Sequence, residues 1–128
     1  MPPVPITVLI CDDNADLRTL LRIVVAAAPE TIVVGEAADG EIAISEASRL
    51  QPDVILLDLA MPVLSGLDAL PRLRQVVPAT TRIIVLSGFS TATAADQVLA
   101  LGADTYLQKG ADPETIIAAI QHATAAAV

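Results

Sequence analysis

Several residue types are scarce in this chain, and each scarcity excludes a class of protein. The single cysteine among its 128 residues rules out an internal disulfide and favours a reducing compartment. We interpret that residue, Cys11, as a small core residue, because no histidine lies near it in the sequence. No apolar run approaches the ~18 residues that span a bilayer, and the start M-P-P-V-P lacks the basic residues of a signal peptide. We therefore expect one soluble, cytoplasmic domain over residues 1–128.

Positive charge and aromatic side chains are also scarce. Seven basic residues face 15 acidic ones, for a net charge of −8. This balance argues against direct contact with nucleic acid or an anionic membrane, since both require basic patches. Aromatics make up 2% of the chain while hydrophobic residues make up 54%, so the sequence predicts a core of aliphatic side chains.

What the chain does have is a series of short aliphatic runs that alternate with helical patterns. The runs are nearly continuous rather than alternating, which is typical of parallel strands covered on both faces. Five strands alternating with five helices predict an α/β fold, a doubly wound parallel sheet. The predicted strands are Ile6–Cys11, Thr31–Ala37, Val54–Asp58, Arg82–Ser87 and Thr105–Leu107.

The predicted helices follow from caps and breakers. Asn14 is a good N-cap for the first helix, which should stop before Pro29. The second should run from about Asp39 to Leu50, the fourth from about Thr93 to Leu101, and the fifth should begin at Asp112-Pro113. The third opens with a capping pair, Ser65 and Asp68. Its Pro71 would cost about 3 kcal/mol inside a helix, so we expect a kink or a later start.

Polar residues collect at the carboxyl ends of the predicted strands. Asp12 and Asp13 follow the first strand, Asp58 ends the third, Ser87 ends the fourth and Lys109 follows the fifth. Ligands of such sheets bind outside the carboxyl ends of the strands. Lys109 is also the only lysine of the chain.

Three carboxylates at one site require a positive charge among them. A hard divalent cation such as Mg²⁺ suits oxygen ligands of this kind. Asp58 could then act as a nucleophile toward a phosphoryl group, with Lys109, Ser87 and the metal ion binding the phosphoryl oxygens. Each of these residues has an ordinary explanation when taken alone, such as a helix cap, a turn or a solvated charge. Their convergence on one edge of the sheet favours a site.

These residues resemble the receiver domain of two-component response regulators, and the resemblance covers essentially the whole chain. It rests on D-D after the first strand, L-L-D-L-A-M-P-V-L-S-G around Asp58, L-S-G after the fourth strand, and G-A-D-T-Y-L-Q-K-G near the end. The run K-G-A-D-P is similar to receivers joined to LuxR-type DNA-binding domains. Gly110 departs from the family pattern, since many receivers have proline there. The resemblance implies the flavodoxin-like strand order 2-1-3-4-5.

The resemblance also implies roles for individual residues. Asp58 would be the phosphoacceptor, and Asp12 and Asp13 would hold Mg²⁺ with Asp13 as the direct ligand. A carboxylate oxygen of Asp58 and the backbone carbonyl of Ala60 would be further metal ligands.

By the same resemblance, Lys109 would bind the phosphoryl group and Ser87 would be the hydroxyl residue that moves toward it. Tyr106 matches the aromatic residue that rotates inward, although an ordinary half-buried strand position explains it equally well. Ala60 and Phe89 stand at the positions that influence the lifetime of the phosphoryl group.

The implied function is Mg²⁺-dependent acceptance of a phosphoryl group from a histidine kinase or phosphotransfer protein, which switches the face formed by the fourth helix, fifth strand and fifth helix. The domain would not be an enzyme beyond its own phosphorylation and dephosphorylation. Phosphorylation could drive a homodimer. Two alternatives stay open: a degenerate receiver that binds partners without phosphorylation, and a receiver fragment of a longer DNA-binding transcriptional regulator.

Two other readings of the same acids fit the residues less well. A haloacid-dehalogenase-type phosphatase needs a second acid two residues after Asp58, where this chain has Ala60. A flavodoxin-like binder of flavin phosphate needs hydroxyls and free amides in the first strand-to-helix loop, whereas C-D-D-N-A-D would repel phosphate without a metal ion.

Overall fold

The structure is a computed structural model that describes residues 4–88 and 92–125. It contains five strands and five helices in strict alternation, as the aliphatic runs predicted. Phe89, for which a role in phosphoryl lifetime was expected, lies outside the described residues. The elements are β1 (Ile6–Cys11), α1 (Ala15–Ala27), β2 (Thr31–Ala37), α2 (Gly40–Leu50), β3 (Val54–Asp58), α3 (Gly66–Val76), β4 (Arg82–Ser87), α4 (Ala92–Ala100), β5 (Thr105–Gln108) and α5 (Pro113–Ala125).

The strands form one parallel sheet in the order β2-β1-β3-β4-β5, which confirms the predicted order. β1 lies between β2 and β3, with Cys11 opposite Ala37 on one side and Leu57 on the other. β4 lies between β3 and β5, with Ser87 opposite Gln108. The carboxyl ends of β1, β3 and β4 therefore reach the same edge of the sheet. We call this the carboxyl edge and the opposite one the amino edge.

The core lies on both faces of the sheet and is aliphatic, as expected from the shortage of aromatic residues. One cluster includes Leu9, Leu57 and Ile83 together with residues of α2 and α3. The other includes Ile10, Leu56 and residues of α1 and α5. Cys11 is free and packs in the first cluster, as predicted. Its burial, with a contribution from the charge of Asp12, raises the pKa of its thiol, which disfavours the reactive thiolate form.

Side-chain caps start three of the helices where the sequence placed them. Asn14 caps α1, Asp39 caps α2 and Ser65 caps α3, each accepting a hydrogen bond from a backbone N–H of the first turn. α3 begins directly after Ser65, as the capping pair predicted, and Pro71 lies inside the helix, so the later start offered as one of two alternatives is wrong.

Pro71 is tolerated because it is exposed, while Leu70 and Leu73 beside it are fully buried. The packing of that face and the Ser65 cap outweigh the lost hydrogen bond. β5 runs one residue further than predicted, to Gln108, and α4 begins and ends one residue earlier. Within the described ranges, no helix is both long and apolar enough to cross a membrane.

Candidate functional site

The carboxyl edge brings three carboxylates together. Asp12 follows β1 and Asp58 ends the neighbouring strand β3. Both are almost fully buried, with 1% and 2% of their surface exposed, whereas Asp13 is exposed. One carboxylate oxygen from each of the three lies within 4.8 Å of the other two. The strand ends thus form a pocket of negative charge with one open side at Asp13.

Local hydrogen bonds hold the first acid in place. The backbone N–H of Asp12 donates to the carbonyl of Ala37 on β2 at 3.0 Å. Its carboxylate Oδ1 accepts the backbone N–H of Asn14 at 2.9 Å. Because Asn14 also caps α1 through its own side chain, the start of the helix and the orientation of Asp12 are fixed together.

Lys109 supplies the positive charge that reaches this pocket. Its backbone N–H donates to the carbonyl of Ser87 at 2.7 Å, which ties the segment after β5 to the end of β4. Its Nζ lies 3.0 Å from Asp58 Oδ2 and 3.3 Å from Asp12 Oδ2. Burial lowers the pKa of Lys109, but its hydrogen bond with Asp58 and the charges of Asp58 and Asp12 outweigh burial, so the pKa is raised. The ammonium stays charged at neutral pH.

One ammonium is too little for the acids around it. The pKa of Asp58 is raised above its ordinary value, chiefly because the carboxylate is buried. Lys109 and the backbone N–H of Ala60, 3.2 Å from Oδ1, oppose this shift, and the charge of Asp12 adds to it. The ionised form of Asp58 is therefore under-compensated, and a further cation would stabilise it.

Backbone packing fixes the loop that follows Asp58. A Cβ on Gly66 would overlap the carbonyl oxygen of Asp58, and a Cβ on Gly40 would overlap the carbonyl oxygen of Leu64. The N–H of Gly66 also donates to the carbonyl of Leu59 at 2.8 Å. Only glycine permits this close approach, so the segment from Asp58 to Gly66 is held against the starts of α2 and α3.

The two predicted switch residues lie on adjacent strands. Ser87 is buried at the end of β4, at the same edge as the acids. Tyr106 is partly buried on β5, opposite Val85, and its ring packs against the core cluster that contains Leu57. Its hydroxyl is buried and has no hydrogen-bond partner within the described part of the chain. Burying a hydroxyl without a partner is unfavourable, so this ring has a physical reason to prefer another position.

The donor set fits a magnesium ion. Oxygens bound to one Mg²⁺ lie at most about 4.2 Å apart, twice the ~2.1 Å bond length. The three carboxylate oxygens lie within 4.8 Å of one another, which is close to that span. The set therefore suits direct bonds from one or two carboxylates, with water completing the shell, which is the usual habit of Mg²⁺ in proteins. The exposed Asp13 gives the ion a way in.

Two apolar cavities flank the acids. A cavity of about 200 Å³ is lined by Leu17 and Leu20 of α1, Pro113 and Ile116 of α5, and Lys109 between them. A larger one, of about 330 Å³, lies between the loop after Asp58 and α4 and includes Ala60 and Ser65 in its lining. The three carboxylates line neither cavity, so the charged pocket is separate from both.

One residue of the site was missed from the sequence. The Arg18 guanidinium on α1 donates to the backbone carbonyl of Asp12 at 2.7 Å. The only available signal was a basic residue in the helix turn that follows an acidic loop, and that pattern also describes ordinary helix surfaces.

Comparison with known proteins identifies the family to which this fold and this group of acidic residues belong. Residues 8–121 match the family model of the response regulator receiver domain. The nitrate/nitrite response regulator protein NarL of Escherichia coli is 41% identical over 121 residues, which is 94% of this chain and 56% of that protein. A protein-glutamate methylesterase/protein-glutamine glutaminase of Rhodospirillum centenum is 42% identical over 108 residues, 82% of this chain and 27% of the relative. The chain thus spans about half or less of the length of these curated relatives.

Solved structures agree with the sequence relatives. The signal receiver domain of a NarL response regulator from Mycobacterium tuberculosis superposes with a TM-score of 0.88 at 27% identity, covering 96% of this chain and 98% of that one. The response regulator domain of Thermotoga maritima CheB gives a TM-score of 0.86 at 31% identity, covering 94% and 97%.

Proposed function

Because the chain belongs to the response regulator receiver domain family, we propose that Asp58 is its phosphoacceptor and that the carboxyl edge is the site of Mg²⁺-dependent phosphoryl transfer. The chain is a receiver domain of the two-component type. The observation that carries the proposal is the contact of one ammonium, Lys109, with both buried carboxylates beside the exposed Asp13. That pocket has too little positive charge to compensate its acids, and the exposed Asp13 leaves it accessible to a cation.

Each residue of the pocket has a defined task in this proposal. A carboxylate oxygen of Asp58 attacks the phosphorus of a phosphohistidine, and the phosphorus–nitrogen bond breaks as the new oxygen–phosphorus bond forms. Lys109 binds one phosphoryl oxygen and the hydroxyl of Ser87 binds another. Asp12, Asp13 and the carbonyl of Ala60 would hold the Mg²⁺, which when bound neutralises charge on the group being transferred.

The switch follows from the added charge. Phosphorylation adds about −1.5 to −2 charge, which draws Lys109 and Ser87 toward the phosphoryl oxygens. The bond from the Lys109 N–H to the Ser87 carbonyl links the ends of β4 and β5, so both strands respond together. Tyr106, whose buried hydroxyl has no partner among residues 4–88 and 92–125, rotates as Ser87 moves, and the face of α4, β5 and α5 changes.

The proposed donor is a histidine kinase or phosphotransfer protein. Support comes from the apolar cavity formed by α1 and α5, which has Lys109 in its lining and so lies directly beside the acids. Leu20 at its margin is about half exposed. A partner helix could pack there while presenting a phosphohistidine to Asp58. Phosphorylation would then promote a homodimer through the switched face, and the domain would process no substrate other than its own phosphoryl group.

The proposed output lies in a further domain of a longer protein. Relatives that share this domain include a nitrate/nitrite regulator and a methylesterase, so the domain serves more than one output. The similarity to NarL favours the receiver of a longer transcriptional regulator. The free thiol of Cys11 is consistent with work in the cytoplasm.

Intact mass spectrometry after incubation with acetyl phosphate tests the proposal. Wild type should gain one phosphoryl group with Mg²⁺ and none with EDTA, and Asp58→Asn should gain none. Asp16→Asn is the matched control, since Asp16 is an exposed acid of the same loop-and-helix region that does not belong to the carboxylate cluster.

No gain in folded wild-type protein would contradict phosphoacceptance and favour the degenerate receiver that binds partners without phosphorylation. A gain that persists in Asp58→Asn would move the acceptor to another residue. Size-exclusion chromatography with light scattering on the phosphorylated sample would then test the homodimer.

A further inference from the structure

Arg18 connects the acidic loop after β1 to β2, the outermost strand on that side of the sheet. Its Nη1 donates to the backbone carbonyl of Asp12 at 2.7 Å, and its Nε lies 3.2 Å from Oε1 of Glu36 on β2. The Arg18 side chain is only 19% exposed. Glu36 is further fixed by Arg22, whose Nη1 lies 2.9 Å from Oε2. One guanidinium thus bridges a backbone oxygen of the site and an anchored carboxylate.

The carbonyl that Arg18 binds controls where Asp13 points. It belongs to the peptide unit that joins Asp12 to Asp13, so its direction sets the plane from which Asp13 continues. The other polar atoms of Asp12 are already held by Ala37, Asn14 and Lys109. Without Arg18, that carbonyl would lose its side-chain donor, and Asp13, which is exposed, would lose the contact that orients its backbone.

We propose that Arg18 is a positioning residue for the cation site: by holding the Asp12 carbonyl against Glu36, it sets the position of Asp13 for Mg²⁺ binding. This inference rests on the proposed function of the carboxyl edge. It assigns Arg18 no contact with the metal ion or with the phosphoryl group.

Charge and positioning predict opposite results, which makes the proposal sharp. Arg18 is a positive charge beside an acidic pocket, so removing its charge alone should strengthen cation binding. Removing its hydrogen bond to the Asp12 carbonyl should weaken cation binding. A loss of Mg²⁺ affinity on neutralising an arginine therefore cannot be a simple charge effect.

The test is a Mg²⁺ titration of the ¹⁵N-labelled protein followed by amide chemical shifts, on wild type, Arg18→Gln, Arg18→Lys and Arg22→Gln. Arg22→Gln is the matched control, since it removes a charge that pairs with the same Glu36 but has no bond to Asp12. Thermal unfolding of each variant without Mg²⁺ reports stability separately. The Mg²⁺ dependence of acetyl phosphate labelling gives a second readout of the same affinity.

We expect Arg18→Gln to raise the Mg²⁺ dissociation constant about tenfold, a typical loss when a residue that orients a metal ligand is removed. Arg18→Lys keeps the charge but cannot span both partners, so it should weaken binding too and will carry the test if Arg18→Gln fails to fold. Arg22→Gln should stay within about twofold or bind slightly tighter. At saturating Mg²⁺, the labelling rate of the Arg18 variants should recover.

Two results are kept apart by this design. Wild type without Mg²⁺-dependent shifts would contradict the proposed function itself. Wild type that binds Mg²⁺ while folded Arg18→Gln and Arg18→Lys bind equally well or tighter would overturn the role of Arg18 alone and leave it as a helix-to-strand contact.

Discussion

The two edges of the sheet use the same kinds of residues in opposite ways. At the amino edge, Asp104 accepts the N–H of Ile83 at 2.9 Å and pairs with both Arg74 and Arg82, at 3.2 and 3.3 Å. Asp53 accepts the N–H and the hydroxyl of Thr7. At the carboxyl edge, two buried carboxylates and an exposed one lie around the single ammonium of Lys109.

The difference separates structural from functional charge. Asp104 has two guanidinium partners and a backbone N–H, so its charge is compensated within the protein and leaves little for a ligand to add. The carboxyl-edge acids are short of positive charge, so they reduce stability until a cation arrives. A sequence selected only for stability would not cluster Asp12, Asp13 and Asp58. Adjacent aspartates at the end of a buried strand therefore indicate a functional site.

The largest expected effect comes from the backbone that holds the carboxyl edge in this arrangement. Gly66→Ala should lower the free energy of unfolding by about 3 kcal/mol, because the new Cβ overlaps the carbonyl of Asp58. Gly88→Ala is the control, since a Cβ there meets no atom of the described residues within 4 Å. Urea unfolding measures both. Equal stability of the two variants would mean that the loop after Asp58 adjusts freely and that the acids are not held together by packing.

A smaller loss is expected from the amino edge. Asp104→Ala leaves the Arg74 and Arg82 guanidiniums and the Ile83 N–H without their shared acceptor. We expect a loss of about 2 kcal/mol, reduced from the value for a fully buried pair because these side chains are about one quarter exposed. Mg²⁺ affinity should not change. Asp96→Ala, which changes an exposed acid on α4, serves as the control. Altered Mg²⁺ affinity in folded Asp104→Ala would contradict the separation of structural charge at the amino edge from cation binding at the carboxyl edge.

Removing the Lys109 ammonium should make the free energy of unfolding depend more strongly on pH. The Asp58 pKa is already raised by burial, so its contribution to stability is full below the ordinary carboxyl pKa of about 4 and is lost as pH rises through the raised value. Lys109→Met raises that pKa further. We expect a loss of about 1.5 kcal/mol at pH 7.5 that shrinks toward pH 4.

Thermal unfolding across pH, with and without Mg²⁺, measures this loss. Mg²⁺ should restore part of the stability of Lys109→Met at pH 7.5, since the ion replaces the missing charge. A loss that is the same at every pH would assign the effect to packing of the lysine stem instead of to its charge.

The smallest effect has the opposite sign. Asp13→Asn removes one carboxylate from the under-compensated cluster, so without Mg²⁺ the variant should equal or slightly exceed wild type, by up to about 0.5 kcal/mol. Added Mg²⁺ should then stabilise wild type more than the variant. Differential scanning fluorimetry with and without Mg²⁺ is sufficient, and a clear loss of stability in metal-free Asp13→Asn would show that this acid has a structural partner.

Sequence patterns predicted the fold well where one signal dominated. The bounds of β1 to β4 were predicted to the residue because continuous aliphatic runs end abruptly at polar residues or turns. β5 was predicted one residue short, since Gln108 is polar and its strand pairing with Ser87 comes from the neighbouring strand. The capping pair predicted the start of α3 correctly, whereas the later start offered because of Pro71 was wrong, since local propensity was weighed without the burial of Leu70 and Leu73.

The site residues also divide into those that the sequence could place and one that it could not. Side chains at strand ends could be placed together from topology alone, and Asp12, Asp13, Asp58 and Lys109 do meet. Arg18 could not be found, because its partner is a backbone carbonyl and every residue has one. Its role becomes visible only when the direction of a particular peptide is known.

The position of Tyr106 gives this protein an optical label of its own. The chain has no tryptophan and this single tyrosine, so nearly all of its near-ultraviolet absorbance and emission come from one ring. That ring lies on β5, with its hydroxyl buried and unpartnered within the described part of the chain. Any rotation of the ring changes the solvent around the phenol and therefore its emission intensity and its near-ultraviolet circular dichroism. The conformational state of the unmodified chain can thus be followed in real time, in dilute solution, without attaching a dye.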